Sequence, residues 1–472
     1  MALATCVIFW RVSWKPMVGV LTGIVLLGAV PPQWPETILR MSPFLSEPQE
    51  GHVVFCKAGR SSTVLLLERE GYYTMRTNGL PEAGIARRGS PPGDWEAHRW
   101  LAVLPVLARP QTESMLMVGL GGGTALAGTP QTVRRIDVVE LEPEVVTANR
   151  AIAKQRDYDP LADPRVRVIL NDARSALMLS TKRYDAIVSQ PSHPWTAGAS
   201  HLYTREFAEL AQAHLNPGGV FLQWMNSSLV DETLFRSVGA TLLDVFPHVR
   251  LYRPNPEILL FVASDQPLPI EHNLSEPTSE ESGETLFDAL MAASRHELQW
   301  LGINSVQDVA AALALEEKGV ARLCRGAPVN TDNDNRLALW SPRRLLTAAD
   351  FDIDELLAPL DPIVDSASRL NSSPLFRPNR VYLARRLANR HLWARAERVA
   401  QSISDPASRW LAVGLVAAKR GEADQARRAL LESLTLDSDN PNALFAYLEP
   451  MLIPLARGQA DPAVTQLASS LR

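Results

Sequence analysis

The chain has 472 residues, 46% of them hydrophobic and 21% charged, and a formal net charge of −5. These proportions exclude a disordered chain, predict two to four globular domains and give no general reason to expect nucleic acid as a partner. Three cysteines far apart, Cys6, Cys56 and Cys324, with no C-x-x-C, exclude a disulfide framework or a cysteine zinc site as the organiser and fit a reducing compartment.

Met17 to Val30, "MVGVLTGIVLLGAV", is an uncharged apolar run preceded by Arg11 and Lys15. It is shorter than the roughly 20 residues that span a bilayer. Trp14 and the flank "PPQW" bring it close, with tryptophans at both ends like interfacial anchors. The expectation is a membrane segment over residues 1–40; a secretory h-region and a buried helix are the alternatives.

Residues 41–110 read as a small β domain and a helix. "HVVF", "STVLLLE" and "YYTMRT" are strand-like, and Asn78-Gly79 is a hairpin turn signal. "EAHRWLAVLPVLA", Glu96 to Ala108, reads as an amphipathic helix. From 111 to 265, strands alternate with helices. "MLMVGLG", "RRIDVVEL", "RVRVIL", "YDAIVS" and "GVFLQWM" are strands, and "HVRLYRP" and "EILLFVASD" close the unit. This order predicts an α/β, Rossmann-like, doubly wound sheet of the S-adenosylmethionine-dependent methyltransferase type.

Residues 266–365 read as an acidic exposed linker followed by helices. "NTDNDN", Asn330 to Asn335, looks like a calcium loop but lacks the glycine and the terminal glutamate, and no metal is expected. Residues 366–472 are helical in pattern. Gly421 joins two helices, and Ala417, Ala418, Ala426 and Ala429 suit close packing. This resembles a tetratricopeptide repeat, with a bland helical tail as the alternative.

"VGLGGGTAL", Val118 to Leu126, follows a strand and opens a helix. Gly119, Gly121, Gly122 and Gly123 let the backbone turn tightly and approach a ligand. Glu140 ends the second strand about twenty residues on, where a carboxylate can take both ribose hydroxyls. Asp172 and Ala173 follow the third strand on the same sheet edge. An adenosine-type site is expected, against the alternative that these acids only cap helices. The antiparallel finish favours an adenosyl sulfonium over a dinucleotide. By contrast, the loop "IVSQPSHPWTAGASHLYTREF", Ile187 to Phe207, holds no carboxylate until Glu206.

These blocks, with "NG", "HRWLAVLP", "VVELEPEVV", "DPRVRVILNDAR", "YDAIVSQPSHP", "LYTREF" and "NPGGVFLQW", resemble the spermidine synthase family of aminopropyltransferases over Gly51 to Asp265. The resemblance implies Glu140 on the ribose, Asp172 on the adenine amino group, Gly119 and Gly121 shaping the turn, and His98 near the cofactor tail. S-adenosylmethionine or its decarboxylated form is the implied substrate, and a homodimer the implied assembly. "SQPSHPW" and "NTDNDN…SPR" are also similar to a subgroup in which this domain is fused behind a membrane region.

The amine-handling positions depart from the family. The glycine-loop aspartate becomes Gly122, the catalytic-loop aspartates become Gln190 and His193, and the glutamate after the helix histidine becomes Arg99. A diamine at pH 7 is a dication with pKa values of about 10. One ammonium must be anchored and the other deprotonated, both tasks for carboxylates. Each lost charge-assisted hydrogen bond costs about 1.5–3 kcal/mol, so a simple diamine acceptor is disfavoured and the pocket is expected to lack the acids that would hold one.

The expected function is therefore alkyl transfer, aminopropyl or methyl, to an unknown small-molecule acceptor. His193 would be the base, and Gln190 and Tyr203 acceptor contacts. The alternative is a non-catalytic, membrane-attached scaffold that binds a protein partner through its C-terminal helices. Arg11 and Lys15 against Arg40 would place the large domain outside the membrane; the scarcity of adenosyl cofactors there favours the cytoplasmic side.

Overall fold

The computed structural model describes residues 18–19, 40–41, 48–91, 93–194, 196, 198–227, 231–278, 283–345, 351–372 and 379–456. Four strands, β1 (His52–Ala58), β2 (Thr63–Arg69), β3 (Tyr72–Thr77) and β4 (Leu80–Ala86), pair antiparallel in sequence order. Asn78 and Gly79 both have positive φ, 49° and 86°, as a tight hairpin turn requires. The expected turn thus leads into β4, a strand additional to those expected. Met75 pairs with Ala83 and Arg76 with Pro81, so Glu82 is an extra residue between paired positions, a β-bulge.

The segment expected as one amphipathic helix is a 3₁₀ turn, Asp94–Arg99, followed by α1 (Trp100–Ala108). Residues Trp100 to Leu107 of α1 are all buried, so α1 is a core helix and its apolar run covers a sheet face rather than one stripe.

The large sheet takes the expected form. Its parallel part is β5 (Ser114–Val118), β6 (Arg135–Glu140), β7 (Val166–Leu170), β8 (Tyr184–Ser189) and β9 (Leu215–Asn226). The antiparallel finish is β10 (His248–Tyr252), β11 (Ile258–Ser264) and a three-residue β12 (Leu313–Leu315). Across the sheet the order is β12-β10-β11-β9-β8-β5-β6-β7. Strand order reverses between β5 and β8, which opens a crevice beyond their carboxyl ends. Met115 and Met117 of β5 pack with α1 on one face, while Leu116 and Val118 belong to a second core on the other.

Residues 266–290 are only partly a linker. Ile270, Glu271 and Leu274 are buried, with Glu271 accepting from Arg250 Nη2 at 2.7 Å and from the Tyr252 hydroxyl at 2.6 Å. "NTDNDN" is a clamp: Asp332 takes both Arg174 terminal nitrogens at 2.7 and 2.6 Å and the Thr204 hydroxyl at 2.9 Å. Among the described residues no cluster of acids, histidines and cysteines is arranged for a metal ion.

Helices Arg380–Asn389, Trp393–Gln401, Pro406–Arg420 and Ala423–Leu436 pack as neighbours, the last two joined at Gly421 with φ 82°. Ala417, Ala426 and Ala429 are buried as expected, whereas Ala418 is exposed. The group is fastened to the large sheet by a buried ion pair. Arg395 Nε and Nη2 meet Asp361 at 2.7 and 2.9 Å, while Nη1 and Nη2 also donate to the Ala311 and Leu313 carbonyls.

Among the described residues no helix is long and apolar enough to cross a membrane. This corrects the expectation of a membrane-anchored protein. Apart from Val18 and Gly19, the run Met17–Val30 itself lies outside the described residues.

Removing one partner of a buried pair strands the other's charge. Asp361→Ala is therefore expected to lower unfolding free energy by about 3–5 kcal/mol in urea denaturation.

Candidate functional site

The turn after β5 sits at the strand-order reversal. Gly119 has φ 92°, and a side chain there would come within 2.7 Å of the Gln190 carbonyl oxygen, so only glycine fits. At Gly122 a Cβ would lie 2.7 Å from Ile85 Cγ1 and 3.0 Å from Ala83 Cβ. Strand β4 thus occupies the space that a longer residue at 122 would need. The helix opening from this turn is one turn long, Thr124–Ala127, so the turn's shape matters here more than a helix dipole.

Glu140, at the end of β6, is buried. Its Oε2 accepts from Leu120 N–H at 2.9 Å and its Oε1 from Glu142 N–H at 2.8 Å. Burial raises its pKa, opposed by those backbone donors. The carboxylate is fixed in orientation, and each oxygen keeps lone-pair capacity for a vicinal diol. Asp172 stands beyond β7. One of its oxygens caps the following helix through Ser175 N–H at 2.9 Å, so it is both a cap and part of the cavity wall.

Together with Gly119, Gly121, Gly122, Ala173 and His98, these residues line one cavity of about 360 Å³, the size of a small-molecule site. His98 is stacked on Trp95 at 5.3 Å and lies 6.0 Å from Trp224 of β9. Burial lowers its pKa, which favours a neutral ring. Gln190 also lines the cavity, but its amide nitrogen donates to the Gly119 carbonyl at 2.8 Å. That hydrogen bond makes it a support for the turn. Gly123 adjoins the turn and packs against Pro160 rather than lining the cavity.

Two expected catalytic residues stand outside the cavity wall. Tyr203 is buried below it, beside Phe207, Gln223 and Thr241 in a separate small void. The loop after β8 lines the cavity through Pro191, Ser192, Thr196, Gly198, Ala199 and Leu202, while Tyr203 joins the core on the other side. His193 is behind the wall, 6.3 Å from Trp224, and its pKa is lowered by burial although a bond to the Pro81 backbone opposes this. Arg99 is directed elsewhere as well: it pairs with Glu96 at 2.5 Å and stacks on Trp300 at 4.7 Å. Arg99 does not line the cavity, so its charge does not face a ligand there.

The expectation of a pocket without acids beyond the nucleoside pair is also corrected. Glu82, the bulged residue of β4, lines the cavity. Its Oε1 accepts from Ser192 Oγ at 2.6 Å and Thr77 Oγ1 at 2.7 Å. Burial pushes its pKa up to about 7, opposed by the two hydroxyl bonds and reinforced by Glu140. Glu142 is the other residue that the sequence reading omits. Its carboxylate accepts the backbone N–H groups of Arg60, Ser61 and Ser62 at 3.0, 2.8 and 3.0 Å, binding the β1–β2 turn to the tip of β6. Those backbone bonds, working against burial, hold its pKa below the ordinary carboxylate value.

Residues 96–255 match the family model described as spermine/spermidine synthase domain. The chain is 31% identical over 160 residues to polyamine aminopropyltransferase 2 of Pseudomonas aeruginosa, covering 33% of this chain and 46% of that protein. It is 28% identical over 127 residues to the polyamine aminopropyltransferase of Yersinia pestis, covering 26% and 43%. The chain thus spans less than half the length of these curated relatives. A crystal structure of spermidine synthase from Thermotoga maritima aligns at 18% identity and TM-score 0.41, covering 53% of this chain and 88% of that one. The family match ends at residue 255, so the tetratricopeptide resemblance further along gains no support from it.

A carboxyl whose pKa is raised on folding carries its ionisation penalty only once it is charged. The penalty is absent below the ordinary value near 4.5 and complete above about 7. Glu82→Gln is therefore expected to gain stability relative to wild type by about 3 kcal/mol between pH 4.5 and pH 8, measured by denaturation at each pH.

Proposed function

We propose, on the match of residues 96–255 to the spermine/spermidine synthase domain model, that the chain binds an adenosyl sulfonium, S-adenosylmethionine or its decarboxylated form. In this reading it transfers an alkyl group, aminopropyl or methyl, to a small-molecule acceptor that is not a simple diamine. Glu140 takes the ribose hydroxyls, Asp172 the adenine amino group, and the Gly119–Gly123 turn passes beside the nucleoside. The faces of Trp95, His98 and Trp224 stand near the sulfonium end, where aromatic rings favour positive charge.

One observation carries the reading. The Glu140 carboxylate, held by two backbone donors, shares a cavity with the glycine turn, Asp172 and His98. Such a carboxylate accepts a diol without reorganising, which is where binding energy is least wasted. The names of the curated relatives agree with transferase chemistry. Of the acids that would manage a dication, the resemblance leaves none at 122, 190 or 193. Nothing in the described residues favours the scaffold alternative.

Isothermal calorimetry with S-adenosylmethionine, decarboxylated S-adenosylmethionine and methylthioadenosine tests the proposal. At least one is expected to bind, with Glu140→Gln weakening it by roughly 10- to 100-fold through lost charge-assisted bonds. No binding of any of the three to wild type overturns it.

A further inference from the structure

The positions that would carry amine-binding acids by resemblance are occupied by a glycine, an amide and an imidazole outside the cavity wall. The cavity nevertheless contains an acid supplied by another sheet. Three features of Glu82 are independent of one another. First, it is the unpaired residue of a bulge: Met75 faces Ala83 and Arg76 faces Pro81, leaving 82 between them. A bulge re-aims the side chain of the extra residue, and this one lines the cavity. Second, its two oxygens differ. Oε1 receives both hydroxyl donors, from Ser192 and Thr77, whereas among the described residues no donor is bonded to Oε2. Third, the same strand that delivers Glu82 places Ala83 and Ile85 against Gly122, so an acid is supplied from β4 while none can fit at 122.

We propose that Glu82 is the amine-binding carboxylate of the site, with Oε2 accepting an N–H of a primary amine while Ser192 and Thr77 hold the carboxyl in place. The inference rests on the adenosyl-sulfonium reading and adds the chemistry of the second ligand group. Two sources carry that group: the aminopropyl end of decarboxylated S-adenosylmethionine, or the acceptor. A single carboxylate with one open oxygen suits one cationic amine rather than a dication.

If the amine is the acceptor's, Glu82 also manages its proton. The ammonium gives a proton to ionised Oε2. The freed nitrogen lone pair then forms the bond to the carbon beside sulfur, and the C–S bond breaks with its electron pair passing to sulfur as a neutral thioether. The product nitrogen keeps its positive charge, and the proton leaves Glu82 for water. Each transfer releases one proton overall, and Glu82 only relays it. A carboxyl that ionises near neutrality suits that relay.

The titratable neighbours are Glu140 across the cavity, Tyr203 below, His98, Asp172 and Glu142 on the wall, the last with its pKa held down by backbone donors, and His193 in the loop that carries Ser192. Both imidazoles have pKa values lowered by burial, and burial raises that of the Tyr203 hydroxyl. Burial raises the pKa of Glu140 too, so a transition near pH 7 is assigned to Glu82 when it vanishes in Glu82→Gln and survives in Glu140→Gln.

The test compares wild type, Glu82→Gln and Glu82→Asp by calorimetry between pH 6 and pH 8.5. The probes are methylthioadenosine, decarboxylated S-adenosylmethionine and, with methylthioadenosine bound, n-butylamine. Methylthioadenosine carries no amine on its tail and should bind all three proteins within about twofold. Glu82→Gln should weaken an amine-bearing probe by roughly 10- to 100-fold. Wild-type affinity for that probe should rise through about pH 7, and the variant should lose the rise. Loss confined to decarboxylated S-adenosylmethionine assigns the cofactor's amine, and loss confined to butylamine assigns the acceptor's. Unchanged affinity of both probes in Glu82→Gln, or no amine binding by wild type while methylthioadenosine binds, overturns the inference. Failure of methylthioadenosine itself to bind wild type strikes the nucleoside reading instead. Should Glu82→Gln not fold, Glu82→Asp, which keeps the charge and shortens the reach, is expected to weaken the same probe at least tenfold, and unchanged affinity there overturns the inference equally.

Discussion

The site depends on one carboxylate that touches no ligand in this account. Glu142 gathers three successive backbone N–H groups from the β1–β2 turn. They tie the β1–β2 turn of the small sheet to the tip of β6 in the large one. The bond network seats the small sheet over the carboxyl edge of the large one. Without it, the crevice at the β5–β8 reversal would be an open notch lined by glycines and Glu140. With it, β4 becomes a wall, and a residue of the small sheet reaches the same cavity as the strand tips.

That arrangement places two carboxylates, Glu140 and Glu82, in one partly dry space. Each raises the other's cost of ionisation, and they are stabilised in different ways. Glu140 has backbone donors on both oxygens, which favour its charged form. Burial raises the pKa of Glu82 to about 7, and two hydroxyls on one oxygen only partly oppose it. Environments that separate neighbouring acids in this way divide their roles: one fixed anion for hydrogen bonding and one group able to exchange a proton. The cationic character of a sulfonium and an amine would relieve the repulsion between the two carboxylates.

Much of the large sheet was legible because its signals are local. An apolar run ended by glycines marks β5, and the twenty-residue step to Glu140 follows from one βαβ passage. The residues misjudged were those whose position depends on distant pairing. Glu82 reaches the cavity only because β4 bulges against β3, and no periodicity in "LPEAGIA" announces a bulge. Glu142 answers a turn eighty residues upstream. Tyr203 and His193 follow a parallel strand, where ligand contacts are expected, but their neighbours line the cavity while Tyr203 joins the core and His193 faces Trp224. Arg99 adjoins His98 in sequence, yet successive residues of a helical turn point different ways, and Arg99 is drawn to Glu96 and Trp300. Strand β12 has three residues inside a helical pattern, too few for a period to register.

A crystal structure with methylthioadenosine bound measures the central claim most directly. The account predicts both ribose hydroxyls on Glu140, the adenine beside Asp172 and the thioether sulfur directed toward the space between Trp224 and Glu82. A nucleoside seated elsewhere, or in this cavity with its ribose away from Glu140, would contradict it.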